Sequence, residues 1–195
     1  MRLVLITLCV ALLGADTVAA QCGSAHVPPA GGRVGSAPLA LGDSVMLGAA
    51  RRLARAGFEV DAQCARNPVD GIDVLRERRR RGTLPEIVVM ALGTNRPVTS
   101  RDISSALRTL GRRRTLMLVT PMRSGRPFQT GPMRRAARRN PRRVALIDWS
   151  SQASRNRHWL AGDGTHLQVG SGVEAYTRIL KRAAWSRQRG RFGRP

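Results

Sequence analysis

The strongest limit on the fold of this chain is the regular alternation of short apolar runs with longer amphipathic segments. The runs "EIVVMALG", "TLMLVTP" and "RVALIDW" are nearly continuous in apolar residues and end at helix- or strand-breaking residues, which is typical of strands covered on both faces. Strands are predicted at 38–43, 58–63, 86–92, 115–120 and 144–148, and helices at 45–56, 70–81, 101–111, 131–139 and 169–185. This alternation predicts a three-layer α/β/α sandwich around a parallel sheet of about five strands.

The chain of 195 residues is long enough for one domain with its own core. Residues 1–20 have the layout of a secretory signal peptide, with a positive start, an apolar stretch and small residues before cleavage after Ala20. The apolar stretch is shorter than the roughly 20 residues of a transmembrane helix, which disfavours a membrane anchor, and no later segment could span a membrane. Residues 21–36 are predicted to form a Gly/Pro-rich linker or extended arm, 37–185 the folded domain, and 186–195 a basic disordered tail. The mature chain is therefore expected outside the cytoplasm, in the periplasm, at the cell wall or secreted.

The formal net charge is +22, and arginine carries nearly all of it, because Lys181 is the one lysine. A field of this sign favours anionic partners such as wall polymers, lipid headgroups or nucleic acid. The alternative is a set of solvated helix faces, since Arg134 and Arg138 have the i, i+4 spacing of one face. Nucleic acid is disfavoured by the predicted export and by the low content of one Tyr and three Phe, too few for stacking platforms.

Two cysteines remain after the predicted cleavage, Cys22 and Cys64. In an oxidising compartment they could form a disulfide that ties the arm to the sheet. Two free thiols are the alternative, because spacing in sequence does not establish proximity.

Polar residues stand where the predicted strands end, which in a parallel sheet is one common edge. "GDS" at 42–44 ends the first strand, "GTN" at 93–95 the third, and "WLAGDGTH" lies in the loop before the last helix. Ser44 is either the cap of the following helix or a nucleophile at a strand-to-helix turn. In the second case its backbone N–H and the amino end of that helix favour negative charge nearby.

A nucleophilic serine needs a base, and the mature chain offers three histidines. His26 lies in the arm and His158 follows a run of polar residues, whereas His166 stands three residues after Asp163. This spacing lets the carboxylate accept from one ring nitrogen while the other nitrogen takes the serine proton. Asn95 would then donate its side-chain amide to the oxyanion.

With these residues the sequence resembles the SGNH (GDSL-type) hydrolases and acyltransferases over residues 38–182. The resemblance is strongest to the extracytoplasmic SGNH domains of proteins that O-acetylate peptidoglycan or other surface glycans, in "GDSVMLGA", "VVMALGTN", "LIDW" and "HWLAGDGTHLQVGSGVEAY". It implies the flavodoxin-like SGNH-hydrolase fold, with Ser44 as nucleophile, His166 as base and Asp163 as the acid that orients it. The oxyanion hole would be formed by Asn95 and by the backbone amides of Ser44 and Ala65. No metal and no organic cofactor is implied.

The sequence departs from the family at two site positions. Ala65 stands where the family has a glycine, so its amide can serve only if the backbone angle there is open to alanine. Arg96 follows Asn95 where related domains have glycine, and it is a candidate substrate-binding cation. The resembling proteins also carry a multi-pass membrane domain, so an acyl donor from inside the cell would require a separate membrane partner.

The predicted function is a serine-dependent reaction on acyl esters, with water or a sugar hydroxyl as acceptor and O-acetyl groups of surface glycan as a candidate substrate. The alternative is a binding module for anionic cell-wall polymer with weak or lost turnover. Reaction with a fluorophosphonate distinguishes the two, because only an activated serine is labelled.

Overall fold

The structure is a computed structural model of the chain and describes residues 23–192. Its main sheet has six strands in the order β1-β3-β2-β4-β5-β8, and a separate hairpin is formed by β6 and β7. The strands are β1 (Ser24–Val27), β2 (Leu39–Gly42), β3 (Glu59–Gln63), β4 (Ile87–Ala91), β5 (Thr115–Val119), β6 (Met122–Arg123), β7 (Arg126–Pro127) and β8 (Val144–Ile147). All five predicted strands are present and pair in parallel, as expected.

Helices cover both faces of the sheet, which confirms the predicted sandwich. They are α1 (Ser44–Leu47), α2 (Ala50–Arg55), α3 (Pro68–Arg80), α4 (Ser100–Leu110), α5 (Gly131–Arg139), α6 (Trp149–Arg155) and α7 (Ser171–Phe192), with a 3₁₀ turn at Arg157–Trp159. The central strands β4 and β5 are buried along their whole length. In β4, Val88 and Met90 face the core under α3, α4 and α5, whereas Val89 faces the core under α1, α2, α6 and α7. Two apolar layers on one sheet explain why the strand sequences show no polar alternation.

Several helix boundaries differ from the prediction. The helix predicted at 45–56 is two helices, α1 and α2, separated at Gly48 and Ala49. The tail predicted to be disordered at 186–195 is helical as far as Phe192, because α7 continues, and that part of the prediction is wrong. Residues 193–195 lie outside the described residues. Helix α6 was not predicted; it follows β8 directly, and its N-cap is Asp148.

The arm predicted at 21–36 contains a strand. Residues 24–27 pair antiparallel with β3 and extend the parallel sheet by one edge strand. The backbone N–H of Cys64 donates to the carbonyl of Gly23 at 2.9 Å. Cys64 is disulfide-bonded, whereas Cys22 lies outside the described residues. The Cys22–Cys64 pairing remains our proposal, supported by the position of Gly23 beside Cys64.

The predicted signal peptide at 1–20 also lies outside the described residues. Within residues 23–192, no helix combines the length and the apolar character that crossing a bilayer requires.

Candidate active site

Ser44 is the first residue of α1, directly after β2, and Asp43 caps this helix in its place. One carboxylate oxygen of Asp43 accepts from the backbone N–H of Val45 at 3.1 Å. Gly42 allows this tight turn, because a Cβ there would lie 2.4 Å from the Cβ of Met46. The hydroxyl of Ser44 is therefore not used for capping and is available to another partner, as the nucleophile hypothesis requires.

That partner is His166. The Nε2 atom of its ring lies 2.9 Å from the Oγ of Ser44, and its Nδ1 atom lies 2.5 Å from Oδ2 of Asp163. The side chains of His166 and Asp163 are 46% and 49% exposed, so the pair is open to a substrate from solvent. The three predicted triad residues thus form one continuous chain of hydrogen-bonding distances, although 122 positions separate the serine from the histidine.

The loop around Asp163 fixes its carboxylate from several sides. Oδ1 accepts from the backbone N–H groups of Thr165 at 2.9 Å and His166 at 3.0 Å. Partial burial raises the pKa of Asp163, but the hydrogen bonds from the His166 ring and from these two amides outweigh burial and leave the pKa lowered. Asp163 therefore stays ionised and can orient the imidazole and stabilise it when protonated.

The β6–β7 hairpin supports this loop, and the sequence analysis did not identify it. Its turn residue Gly125 donates its N–H to the carbonyl of Gly164 at 2.8 Å, and the N–H of Ser124 donates to the hydroxyl of Thr165 at 2.9 Å. Gly164 has φ +64°, and a Cβ there would lie 2.4 Å from the nitrogen of Gly125. A side chain at Gly164 is thus excluded by backbone. The residues Ser124 and Gly125 indicate a turn in the sequence, but the sequence does not indicate that this turn contacts the loop.

The opposite side of the site contains the predicted oxyanion donors. Asn95 donates one hydrogen from Nδ2 to the backbone carbonyl of Arg66 at 3.3 Å. An amide nitrogen carries two hydrogens, so the second remains for a ligand. Ala65 has φ +57°, which is the left-handed region where glycine is favoured. The chain therefore holds Ala65 in a left-handed conformation, at a strain of about 1–2 kcal/mol.

Arg66 connects these segments and was not singled out from the sequence. It is buried, and its Nη1 donates to the carbonyl of Gly42 at 3.3 Å and to that of Asp61 at 2.7 Å. Its Nη2 lies 2.7 Å from a carboxylate oxygen of Asp61. Through its side chain and its backbone carbonyl, Arg66 thus contacts both the "GDS" turn and Asn95. A single arginine among 34 basic residues gives no sign of such a role, since burial depends on the fold.

The electrostatics below the serine come from a buried carboxylate. Burial raises the pKa of Asp43, while hydrogen bonds from Val45 and Thr94 and the charge of His166 act in the lowering direction. Burial outweighs these contributions and leaves the pKa of Asp43 raised. Tyr176 is also fully buried, and burial together with Asp43 raises its pKa well above the usual value, so its phenol stays neutral and is excluded as the base.

The remaining predicted residues lie away from the triad contacts. Arg96 is exposed, and its Nη2 lies 3.4 Å from Asp102 at the start of α4, so it is partly neutralised there. His26 lies on β1, 3.8 Å from Glu59 and 3.6 Å from Asp61. The contact of Arg96 with Asp102 does not test its proposed substrate-binding role. Among the described residues, no group of three or more His, Cys, Asp or Glu side chains is placed to hold a metal ion.

Comparison with known proteins gives relatives of one kind. No protein-family model matches the chain. The Bacillus subtilis (strain 168) protein named "Putative peptidoglycan O-acetyltransferase YrhL" is 24% identical over 147 residues, which cover 74% of this chain and 23% of that protein. The chain thus spans about a quarter of the length of this curated relative.

Two solved structures show the same architecture. The C-terminal catalytic domain of Streptococcus pneumoniae peptidoglycan O-acetyltransferase A, solved with a methylsulfonyl adduct, has a TM-score of 0.67 and 24% identity, and the match covers 84% of this chain and 98% of that domain. A GDSL-like lipase from Bacteroides thetaiotaomicron has a TM-score of 0.58 and 14% identity, over 76% of this chain and 87% of the lipase.

The predicted resemblance and fold class are confirmed by these matches, and the prediction of an enzyme that acts on esters agrees with the named activities of the relatives. The chain has the α/β fold of the SGNH (GDSL-type) hydrolases.

Proposed function

We propose that this protein is a serine-dependent enzyme that acts on acyl esters outside the cytoplasm, as an esterase or an O-acyltransferase. The observation that carries the proposal is the distance pair in the triad, 2.9 Å from Ser44 to His166 and 2.5 Å from His166 to Asp163. A fold alone does not require these three polar side chains to meet, and their order of contact is that of nucleophile, base and orienting acid.

In the first half of the proposed reaction, the Oγ of Ser44 attacks the acyl carbonyl while Nε2 of His166 takes its proton. The tetrahedral oxyanion is held by the free amide hydrogen of Asn95 and by the backbone N–H groups of Ser44 and Ala65. His166 then donates its proton to the leaving alcohol, and the acyl group remains on Ser44 as an ester.

In the second half, the same groups act in reverse. His166 removes a proton from water or from a sugar hydroxyl, the oxygen attacks the acyl-enzyme, and Ser44 leaves with its proton restored. Water gives hydrolysis and a sugar gives acyl transfer. The half-exposed His166 is accessible to either acceptor, so the accepting molecule is selected outside the triad itself.

The relatives named as peptidoglycan O-acetyltransferases support O-acetyl groups of a surface glycan as the substrate class. Export by the predicted signal peptide would place the enzyme beside such a glycan. If the enzyme is a transferase that draws on acyl groups from inside the cell, we propose that a separate membrane protein delivers them.

The test is labelling and turnover with matched serine variants. Wild-type protein should react with a fluorophosphonate and hydrolyse an acetyl ester, whereas Ser44→Ala should be unlabelled and lose activity by at least about 10³-fold. Ser104→Ala is the control, because Ser104 is an exposed serine on α4 away from the site. Activity of Ser44→Ala within tenfold of wild type would refute the nucleophile.

Product analysis then separates the two reactions. The acetyl ester is incubated with and without a glycan acceptor, and free acetate and acetylated glycan are quantified by mass spectrometry. Acetylated glycan that forms only with the intact Ser44 identifies a transferase, and acetate alone identifies an esterase. No labelling and no product from folded wild-type protein would refute the enzyme proposal.

A further inference from the structure

A basic groove separate from the triad runs between α2 and α7. Its cavity volume is about 680 Å³, and six cationic side chains line it: Arg52, Arg55, Arg178, Lys181, Arg182 and Arg189. Glu174 is the one acidic residue in this lining, and it pairs with Arg52 at 3.5 Å. Within the described part of the chain, the other five cations have no ion pair. The groove therefore concentrates positive charge that the protein itself does not neutralise.

The arginines of α3 differ from those of the groove, because three of them have acidic partners on their own helix. There, Arg76 pairs with Asp73, and Arg80 and Arg81 both pair with Glu77. These three arginines of α3 thus have carboxylate partners on their own helix, whereas the like charges along α2 and α7 are left to repel each other, apart from the Arg52–Glu174 pair. Such an arrangement costs stability, and a bound anion would offset that cost.

A buried hydroxyl also lacks a partner at the groove. Thr177 lines it, is 6% exposed, and its Oγ1 has no hydrogen-bond partner among the described residues. Buried hydroxyls are normally satisfied, because an unpaired one costs about 1–3 kcal/mol. The oxygen itself is closed to solvent, so a ligand in the groove could pair with it only after the Thr177 side chain turns toward the groove.

The groove has the dimensions of an extended polymer rather than of a small ion. Its lining on α7 runs from Glu174 to Arg189, which is about 22 Å of helix at 1.5 Å per residue. Arginine forks bind phosphate and carboxylate oxygens in pairs, so a row of them suits an oxyanion repeated along a chain. Trp185 adds a half-buried aromatic wall, held edge-on against Phe58 at 5.0 Å between ring centres.

One aromatic residue favours a sugar polymer over nucleic acid. Single-stranded nucleic acid is held by successive aromatic platforms, whereas this groove has Trp185 alone in its lining. A sugar ring has an apolar face that one indole can cover, with the oxyanions of the repeat lying on the arginines.

The groove is connected to the proposed active site by both of its helices. Helix α1 begins at Ser44 and leads into α2, and α7 follows the loop of Asp163 and His166, so both walls of the groove continue from catalytic segments of the chain. Arg52 and Glu174, whose ion pair crosses the groove, each stand eight residues after a triad member.

We propose that the groove between α2 and α7 binds an extended anionic glycan with a phosphate or carboxylate on its repeating unit, and so holds the polymer beside the catalytic edge. The choice of a glycan rests on the proposed extracytoplasmic function, whereas the site itself rests on the charges, the aromatic wall and the length of the groove.

The test measures binding in the Ser44→Ala background, so that the result does not depend on turnover. The groove variant carries Arg55→Gln, Arg178→Gln and Arg182→Gln, and the control variant removes three exposed charges from α5 by Arg135→Gln, Arg138→Gln and Arg139→Gln. Calorimetric titration uses polygalacturonate as the carboxylate polymer, poly(glycerol phosphate) as the phosphate polymer, neutral dextran, and single-stranded DNA. Thermal melting confirms that all variants are folded.

The proposal expects at least one of the two anionic polymers to bind, with a Kd at least tenfold weaker in the groove variant and less than threefold weaker in the control variant. The polymer that binds more tightly shows whether the groove prefers phosphate or carboxylate groups. The neutral dextran should not bind. Equal losses in both triple variants would refute a localised site and leave only net charge as the cause. Tighter binding of DNA than of both polymers at equal ionic strength, lost in the groove variant, would replace the glycan with nucleic acid.

Discussion

The contact between Gly164 and the β6–β7 hairpin gives the sharpest test of how the site is built. In Gly164→Ala the new Cβ would lie 2.4 Å from the nitrogen and 2.9 Å from the Cα of Gly125. Ordinary contacts between such atoms are about 3.5 Å, so the loop and the hairpin must separate by about 1 Å. Asp163 and His166 lie on either side of Gly164 in the same loop, so both residues move when the loop moves away from the hairpin.

The expected cost falls on catalysis and on stability by different amounts. A misplacement of about 1 Å in a catalytic group can lower kcat by about 100-fold, or about 2.7 kcal/mol. Left-handed backbone at an alanine costs about 1–2 kcal/mol and loss of the Gly125–Gly164 hydrogen bond about 1 kcal/mol, while the stiffer unfolded chain returns about 0.4–1 kcal/mol. The net loss of about 1–2.5 kcal/mol corresponds to a melting temperature lower by about 2–10 °C for a domain of this size.

Acetyl-ester turnover is measured at a temperature below the melting transition of every variant. Melting temperatures are measured separately. Gly162→Ala is the matched control, because it lies in the same loop and a Cβ there would meet no atom within 4 Å. It should keep wild-type kcat. If Gly164→Ala melts early but keeps wild-type kcat, the hairpin stabilises the fold without positioning His166, and the reasoning is refuted.

Three further outcomes are expected from the same geometry. Asn95→Ala should lower kcat by roughly 10²–10³ with little change in KM. The melting temperature should shift only slightly, because the contact of Asn95 with Arg66 is a single 3.3 Å hydrogen bond. A large shift in melting temperature with intact kcat would make Asn95 a turn residue. Ala65→Gly should change the free energy of unfolding by less than about 1 kcal/mol. Glycine relieves the backbone strain at φ +57°, but the greater entropy of glycine in the unfolded chain opposes this gain. The variant should keep its kcat, and a tenfold loss of kcat would show that alanine is needed there. Because the pKa of Asp163 is lowered in the folded state, its stabilising effect is complete above the unfolded value of about 3.9 and is lost as pH falls through the folded value. The melting temperatures of wild type and Asp163→Asn should therefore still differ at pH 5 and converge only below about pH 4. Convergence already at pH 6 would contradict the assigned ionisation.

The sequence alone determined the parallel sheet and was sufficient to propose the triad residues. The strands β4 and β5 are apolar on both faces, and only a sheet covered on two sides tolerates that pattern. Once the strands were placed, their carboxyl ends had to share one edge, so Ser44 and Asn95 came to the same edge by topology. His166 was found by its short-range relation to Asp163, which a sequence displays directly.

The tertiary structure decided how those residues are held. Three features depend on segments far apart in the chain: the φ of +57° at Ala65, the burial of Arg66 against Gly42 and Asp61, and the pairing of residues 24–27 with β3. Burial of one arginine among many is set by the space left between packed elements, not by the residue type.

The hairpin at 122–127 is the clearest case. Its turn could be predicted from serine and glycine, but its role in holding the Asp163–His166 loop arises from two hydrogen bonds across 39 and 41 positions of sequence. The N–H of Gly125 donates to the carbonyl of Gly164, and the N–H of Ser124 donates to the hydroxyl of Thr165. Local sequence fixes which backbone shapes are accessible; whether two such shapes meet is decided by the packing of the whole sheet, because the free energy of each contact is gained only when both partners are already in place.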